Sequence, residues 1–393
     1  MRLLVLSFYY EPDLSAGSFR TTNLVRALLA APGGTAVEVL TTLPNRYHSF
    51  RVAIPEEDRS ERLLVRRFPL PEHKGGFVSQ SRAFAAYAAA VLRFGRGRPY
   101  DAVFATSSRL MTAVLGARIA RSRRLPLYLD IRDIFVDTIG DVLPRRTAAI
   151  AKPLFKPLEG YAISRAATVN LVSRGFADYF QTRYPSRRYT FFTNGIDPEF
   201  VVAAPPGPGA PIEPFRPVHV AYAGNMGDGQ GLHAIIPQLA NRMRDTATFT
   251  LIGDGGRRAD LERGLAAAGC TNVTLTPPMA RADLMRAYAA ADVLFLHLND
   301  YEAFAKVLPS KIFEYAALGK PVWAGVRGYA ATFLREEVSN CAVFHPCDAA
   351  DAERAFGRME LRTLPRPAFV ERFARDAISR EMAADIVDVC GQR

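Results

Sequence analysis

A twice-repeated alternation limits what this chain can become. Short runs rich in leucine, valine and other strand formers recur between longer stretches of helical periodicity, first up to residue 192 and again from residue 218. Alternation of that kind marks βα units, in which parallel strands are joined by helical crossovers that cover both faces of the sheet. The first half predicts strands at Leu3–Phe8, Ala36–Thr41, Leu63–Arg67, Ala102–Ala105, Leu127–Ile131, Ala167–Val172 and Thr190–Phe192, with helices at Ser18–Ala31, Ser79–Phe94, Leu110–Arg121 and Phe155–Ser164. The second predicts strands at Val218–Tyr222, Thr248–Ile252, Val273–Leu275, Val293–Leu296, Pro321–Ala324 and Ala342–Phe344, with helices at Gly231–Met243, Arg257–Ala268, Arg281–Ala290, Lys311–Leu318 and Ala330–Glu336. Between the halves, Ala203-Ala204-Pro205-Pro206-Gly207-Pro208-Gly209-Ala210-Pro211 has almost no side chain able to build a core and many residues that forbid regular structure. The expectation is an α/β chain of two Rossmann-like domains, at 1–200 and 218–368, with a Pro/Gly-rich linker at 201–217. The last stretch, 369–393, is helical in pattern over Phe369–Val389 and is expected to return to the first domain.

Composition narrows the class. At 393 residues the chain is too long for one ordinary core. No apolar run reaches the roughly 18–20 residues that span a bilayer. The apolar start, Leu3 to Tyr10, is short and runs into Glu11-Pro12-Asp13, so it reads as a buried first strand in place of a signal peptide. The four cysteines contain no CxxC pair and the six histidines no metal-binding spacing. The expectation is a reducing, cytoplasmic setting with no protein-borne metal. The formal charge of +11 asks for an anionic partner, whether nucleic acid, an acidic membrane face or a phosphate-bearing substrate, or else reflects an arginine-rich solvated surface.

In doubly wound sheets, ligands bind beyond the carboxyl ends of the strands, where loops and helix N-termini offer N–H groups to anions. Four loops fit. The first runs from Tyr10 to Arg20 and carries Gly17. The second, Gly224-Asn225-Met226-Gly227-Asp228-Gly229-Gln230-Gly231, has four glycines in eight residues, which favours close approach of a phosphate or sugar. It is not a GxGxxG fingerprint, and no well-placed acidic residue follows about 20 residues later to hold a dinucleotide ribose. The third is Gly253-Asp254-Gly255-Gly256, where Asp254 is either a cap or a cleft residue. The fourth opens a helix at Pro309-Ser310, with Lys311 and Glu314 one turn apart on the same face. That pair suits a diphosphate and a ribose diol, or is an ordinary surface ion pair.

Taken in order, these segments resemble retaining GT-B glycosyltransferases of family four, in particular a bacterial branch that builds surface polysaccharides. Pro309 to Pro321 resembles the family's donor-site helix, and Glu11-Pro12-Asp13 with Gly17 and Arg20 its first loop. Thr193-Asn194-Gly195-Ile196-Asp197 resembles its crossing between domains, Gly224-Asn225-Met226-Gly227 and Gly253-Asp254-Gly255 its two glycine turns, and Ala291-Asp292-Val293 a strand entry. The resemblance implies the GT-B fold, two parallel sheets facing across a cleft, and a nucleoside-diphospho sugar, UDP-linked, as co-substrate with no metal or other cofactor. It implies that Glu314 holds the ribose, that Ser310 and Lys311 lie near the diphosphate, and that Gly17, Arg20, Gly224, Asn225, Gly253, Asp254 and Gly255 complete the donor site. Two departures stand out. Lys306 occupies the place of a second glutamate, eight positions before Glu314, with Glu302 nearby but out of register. Asp130-Ile131-Arg132-Asp133 stands where many members have a His-Asp pair, so Arg132 would set a fixed cation near the transferred group, with Asp133 contacting the acceptor or orienting Arg132. Arg132, Asp133 and Lys306 are therefore the candidate catalytic residues.

The implied reaction moves a sugar, with retention, to a glycan or polyprenyl-diphosphate-linked acceptor. The arginine-edged helix from Ser79 and the basic segment Pro144–Arg165, with Arg145, Arg146, Lys152, Lys156 and Arg165, could lie on an anionic inner leaflet, or Phe84, Tyr87 and Val91 could face the core. A nucleotide-sugar epimerase of the same fold and a non-catalytic nucleotide-sugar-binding partner are the alternatives. A nucleic-acid binder lacks any recognition motif here.

Overall fold

The computed structural model describes residues 1–13, 15–44, 54–71, 77–107, 109–137, 145–211 and 216–391. Leu14, Pro144, part of the 201–217 segment, and the side chains of Arg145, Arg146 and Lys152 lie outside the described residues. The chain forms two compact units, Met1–Gly195 with Arg375–Arg393, and Ile196–Ala374.

The first unit contains β1 (Arg2–Leu6), β2 (Ala36–Thr42), β3 (Glu57–Arg59), β4 (Leu63–Phe68), β5 (Ala102–Thr106), β6 (Leu127–Ile131), β7 (Thr168–Leu171) and β8 (Arg188–Thr190). They lie in the order β3-β4-β2-β1-β5-β6-β7-β8, and every pairing is parallel except β3 with β4. Leu3, Val5, Val39 and Phe104 are buried in its core, as a sheet covered on both faces requires. β3 carries no apolar residue, so hydrophobic pattern could not reveal it; as an edge strand it needs only backbone pairing and charge. The helix Arg375–Gly391 packs against Ala16–Ala30 within this unit, burying Met382, Ala383 and Ile386. In the helix Phe77–Phe94, Phe84, Tyr87 and Val91 face the core, and the Tyr87 hydroxyl donates to the Leu40 carbonyl at 2.7 Å. Arg82, Leu92, Arg93 and Arg96 are left on the outside.

The second unit contains β9 (Val218–Ala223), β10 (Ala247–Ile252), β11 (Val273–Thr276), β12 (Val293–His297), β13 (Val322–Gly325) and β14 (Cys341–Phe344). All pair in parallel in the order β11-β10-β9-β12-β13-β14. Trp323 is fully buried at its centre with its indole N–H donating to the Ala352 carbonyl at 3.1 Å. In each sheet the strand order reverses beside the first strand, β1 or β9, which makes a crevice beyond the carboxyl ends of that strand and its new neighbour.

The border between units falls at Gly195, ahead of the Pro/Gly segment where the sequence set it. Ile196 is fully buried and its N–H donates to the Phe373 carbonyl at 2.8 Å. The short helix Pro198–Val202 buries Phe200 near Tyr288, at 6.3 Å between ring centres. Beyond it the N–H of Gly209 donates to Thr363 at 2.9 Å, so this segment is the edge of the second unit instead of a free linker. Pro367–Phe373 likewise belongs to the second unit, where Phe369 and Phe373 pack on Phe313.

Candidate active site

The second unit gathers most of the expected donor residues at the carboxyl ends of β9 and β10. The Gly224 N–H donates to Ile252 O at 2.9 Å and the Met226 N–H to Asp254 O at 2.8 Å, which lays the two glycine turns side by side. Only glycine allows this. At Gly253, with φ +146°, a Cβ would stand 1.8 Å from the Gly224 carbonyl oxygen, and at Gly255 it would stand 2.5 Å from the Met226 carbonyl carbon. Asn225 is held by its carbonyl, which accepts from the Tyr222 hydroxyl at 2.6 Å, and by its amide, which donates to Gln230 Oε1 at 2.8 Å. Asp254 does not cap the following helix; its Oδ1 accepts from the next N–H, Gly255, at 2.8 Å.

The helix Lys311–Ala317 comes up against this surface. Ile312, Phe313, Tyr315, Ala316 and Ala317 bury its length, leaving Lys311 and Glu314 as its polar members. The Lys311 stem passes over the backbone of Gly224, where a Cβ would meet its Cε at 2.8 Å. The Ala223 N–H reaches the Tyr315 hydroxyl at 3.4 Å, tying helix to β9. Ser310 occupies the cap position in helical conformation, and its side chain makes no capping hydrogen bond. Glu314 is 7% exposed, with Oε2 3.7 Å from Lys311 Nζ and Oε1 3.9 Å from Arg281 Nη1. Among the described residues Oε2 accepts no hydrogen bond. A buried carboxylate oxygen left unbonded costs about 1–3 kcal/mol, which is an unmet demand for a donor at this spot. Hydroxyl groups of a ligand would meet it. Lys306 ends a short 3-10 helix, Glu302–Lys306, that presses on Gly328, where a Cβ would lie 2.1 Å from Ala305 O. Glu302 pairs outward with Arg327 at 2.9 Å.

Behind these loops His297 is fixed in one tautomer. Its Nδ1–H donates to Gln230 O at 2.7 Å, and Nε2 accepts from the Cys347 N–H at 3.0 Å. Burial is the main cause that lowers its pKa from 6.5 to about 4, against the bond to Gln230. The folded value lies below the unfolded one, so this histidine's contribution is complete above about pH 6.5 and declines as pH falls from there toward about 4. Urea unfolding across that window should show stability dropping with acid, and His297→Gln, weaker at neutral pH, should flatten the slope.

The first unit holds the remaining candidates. Arg20 was expected at the donor; it is instead buried, with Nε and Nη2 each 2.9 Å from the two oxygens of Asp130. Its remaining hydrogen bonds go to the carbonyls of Thr193 at 2.6 Å and Phe192 at 2.8 Å and to Met382 Sδ at 3.5 Å, while Asn170 Nδ2 donates to Asp130 at 2.8 Å. The guanidinium is thus a clamp on β6 and the chain after β8. Burial alone would raise the Asp130 pKa, but the charge and hydrogen bonds of Arg20, with Arg132 and Asn170, hold it below the ordinary carboxylate value. Gly17 is buried in the first turn of Ala16–Ala30, its carbonyl accepting from Thr21 at 3.0 Å. Arg132 follows β6, its N–H donating to Ser107 Oγ at 2.9 Å. Burial lowers its pKa to about 10, Asp130 and Asp133 opposing, so it stays cationic at neutral pH; Nη1 has no hydrogen-bond partner among the described residues. Asp133 is exposed and lines a small cavity with Ser107, Leu110, Phe135 and Glu159. Burial pushes Glu159 up to about 7, against hydrogen bonds from Tyr179 and Tyr184. Glu159 and Arg281 carry no motif, and sequence reading passed over both. Among the described residues, no group of three acidic, histidine or cysteine side chains is arranged to hold a metal.

Comparison with known proteins bears on the two domains and their fold. Residues 17–195 match the family model "Glycosyl transferase 4-like domain" and residues 217–359 match "Glycosyl transferases group 1". A 2-deoxystreptamine glucosyltransferase of Streptomyces kanamyceticus is 26% identical over 300 residues, 70% of this chain and 73% of the relative. Sucrose-phosphate synthase of Thermosynechococcus elongatus superposes with a TM-score of 0.76 at 14% identity, covering 100% of each chain. HepE of Anabaena, solved with UDP and glucose, superposes with a TM-score of 0.67 at 16% identity, over 99% of this chain and 100% of that one. These matches lend nothing to an epimerase or a non-catalytic partner. With two such domains in this order and the matching fold along its whole length, the chain is a glycosyltransferase of the GT-B type.

Proposed function

We propose that the chain transfers a sugar from a nucleoside-diphospho sugar, UDP-linked, to a glycan or lipid-linked acceptor in surface-polysaccharide biosynthesis, with retention of configuration. The observation that carries the donor reading is Glu314: a buried carboxylate with an unbonded oxygen, one helical turn from a lysine that lies over a glycine turn. Two adjacent ribose hydroxyls would supply the donors the carboxylate lacks, while Lys311, Ser310 and the backbone of Gly224, Asn225, Gly253 and Gly255 would meet the diphosphate. That HepE was solved with UDP and glucose supports the same class of donor.

In this reading the departing diphosphate develops negative charge, and preorganised N–H groups with Lys311 and Lys306 stabilise it without a metal. The leaving phosphate takes the acceptor proton as the acceptor attacks on the same face. Arg132, a cation at any neutral pH, and Asp133 serve the transferred group and the acceptor. No described helix is long and apolar enough to cross a membrane. The outward Arg82, Leu92, Arg93 and Arg96 suit contact with an anionic inner leaflet of the cytoplasmic membrane, where a polyprenyl-diphosphate-linked acceptor would be held.

The test is thermal-shift stabilisation by UDP, GDP, ADP, TDP and NAD. One nucleoside diphosphate should raise the melting temperature, and Glu314→Ala should weaken that ligand roughly 100-fold, from about 3 kcal/mol of lost charged hydrogen bonding. A response to NAD alone, or an unchanged response in the variant, would defeat the donor assignment.

A further inference from the structure

Glu314 lies near a cation carried by another helix. Arg281 opens the helix Arg281–Ala290, and its guanidinium is held on two edges by carboxylates: Nη2 is 2.8 Å from Asp197 Oδ2 and Nε is 2.6 Å from Glu199 Oε1. It lies 4.6 Å above the centre of the Phe200 ring. Asp197 is only 4% exposed and introduces the helix Pro198–Val202, so the fork is anchored to a buried point. Two edges and a face are thereby fixed, and the third corner, Nη1, is 3.9 Å from Glu314 Oε1.

That distance matters. At 2.8 Å the guanidinium would occupy lone pairs of the carboxylate; at 3.9 Å it attracts the charge and leaves the oxygen free to accept from something else. Lys311 stands in the same relation to Oε2, at 3.7 Å. Glu314 thus faces two cations, neither of which fills its hydrogen-bonding sites. We propose that Arg281 is a positioning residue for the donor ribose, acting through Glu314 and braced by Asp197, Glu199 and Phe200. The proposal rests on the reading of Glu314 as the ribose-binding carboxylate.

Its test separates Arg281 from Glu314 by asking whether a mutation matters only when the ribose hydroxyls are present. UDP and 2′,3′-dideoxy-UDP are titrated calorimetrically into the full chain and into Glu314→Ala, Arg281→Gln and Arg281→Lys. Arg281→Gln should weaken UDP about 10-fold and leave dideoxy-UDP unchanged, a coupling between contacting groups, and Arg281→Lys should recover part of the loss. A structural role would lower both ligands together, or would follow the fraction of folded protein seen by circular dichroism. Equal loss for both ligands, or no loss, overturns the proposal for Arg281 alone if Glu314→Ala still weakens UDP more than dideoxy-UDP. If Glu314→Ala weakens UDP no more than dideoxy-UDP, or the unaltered chain does not bind UDP, the donor reading falls and this proposal with it.

Discussion

Arg20→Ala should destabilise the first unit heavily while leaving nucleotide affinity of the surviving folded protein close to that of the parent. The substitution leaves Asp130, 1% exposed, as a buried charge with its bidentate partner gone. Removing one member of a buried ion pair costs about 3–5 kcal/mol, because the remaining charge keeps its desolvation penalty. For a unit of this size that is a fall of roughly 10 °C in melting temperature. Arg20→Lys should recover little, since a single ammonium cannot reach both carboxylate oxygens and the two carbonyls of Phe192 and Thr193. Arg20→Ala combined with Asp130→Ala should cost less than the sum of the two, since neither charge is then stranded. The pH dependence has a definite sign. The folded pKa of Asp130 lies below its ordinary value, so the contribution is present above about pH 4 and is lost as pH falls from there toward the depressed value. A donor contact would give the opposite result, with binding lost and stability kept.

Gly253→Ala should be the most damaging single methyl group in the second unit. A Cβ there would sit 1.8 Å from the Gly224 carbonyl oxygen, and φ of +146° is a conformation that side chains seldom adopt. Strain of that backbone kind costs about 1–3 kcal/mol and forced overpacking a similar amount, so a total above roughly 3 kcal/mol is expected. Relief requires the two glycine turns to part, which would also move the backbone over which Lys311 lies. Denaturant unfolding should show the loss of stability, and titration with a nucleoside diphosphate at a temperature where the variant is folded should show weakened binding. Gly256→Ala, where a Cβ meets nothing within 4 Å, is the matched control and should be near neutral in both assays.

The sheets were legible because their strands are buried on both faces, and burial is what apolar runs report. β6 and the helix Arg281–Ala290 fall where the pattern put them. What pattern missed was held by other forces. β3 is an edge of charged residues, the helix Ala349–Phe356 is short and alanine-rich with an Asp348 cap, and the Pro/Gly segment looks like a linker in composition yet its Gly209 N–H donates to Thr363 in the second unit. At the candidate site, the glycines and the Lys311–Glu314 spacing could be read from sequence because each reflects local geometry. The partner of Arg20 lies 110 residues away, and the relation of Arg281 to Asp197 and Glu314 joins three separate elements. Contacts of that kind leave no local mark on a sequence, so Arg20 was read only by its place in the first loop and Arg281 was passed over.

A nucleoside diphosphate is expected between the glycine turns of the second unit and the Lys311–Glu314 helix. The most direct measurement is a crystal structure with the diphosphate that stabilises the chain most. Ribose hydroxyls should lie within about 2.6–3.2 Å of the Glu314 carboxylate, and phosphate oxygens beside Lys311 and the Gly224 turn. A nucleotide bound elsewhere, with Glu314 Oε2 still unbonded, would contradict it.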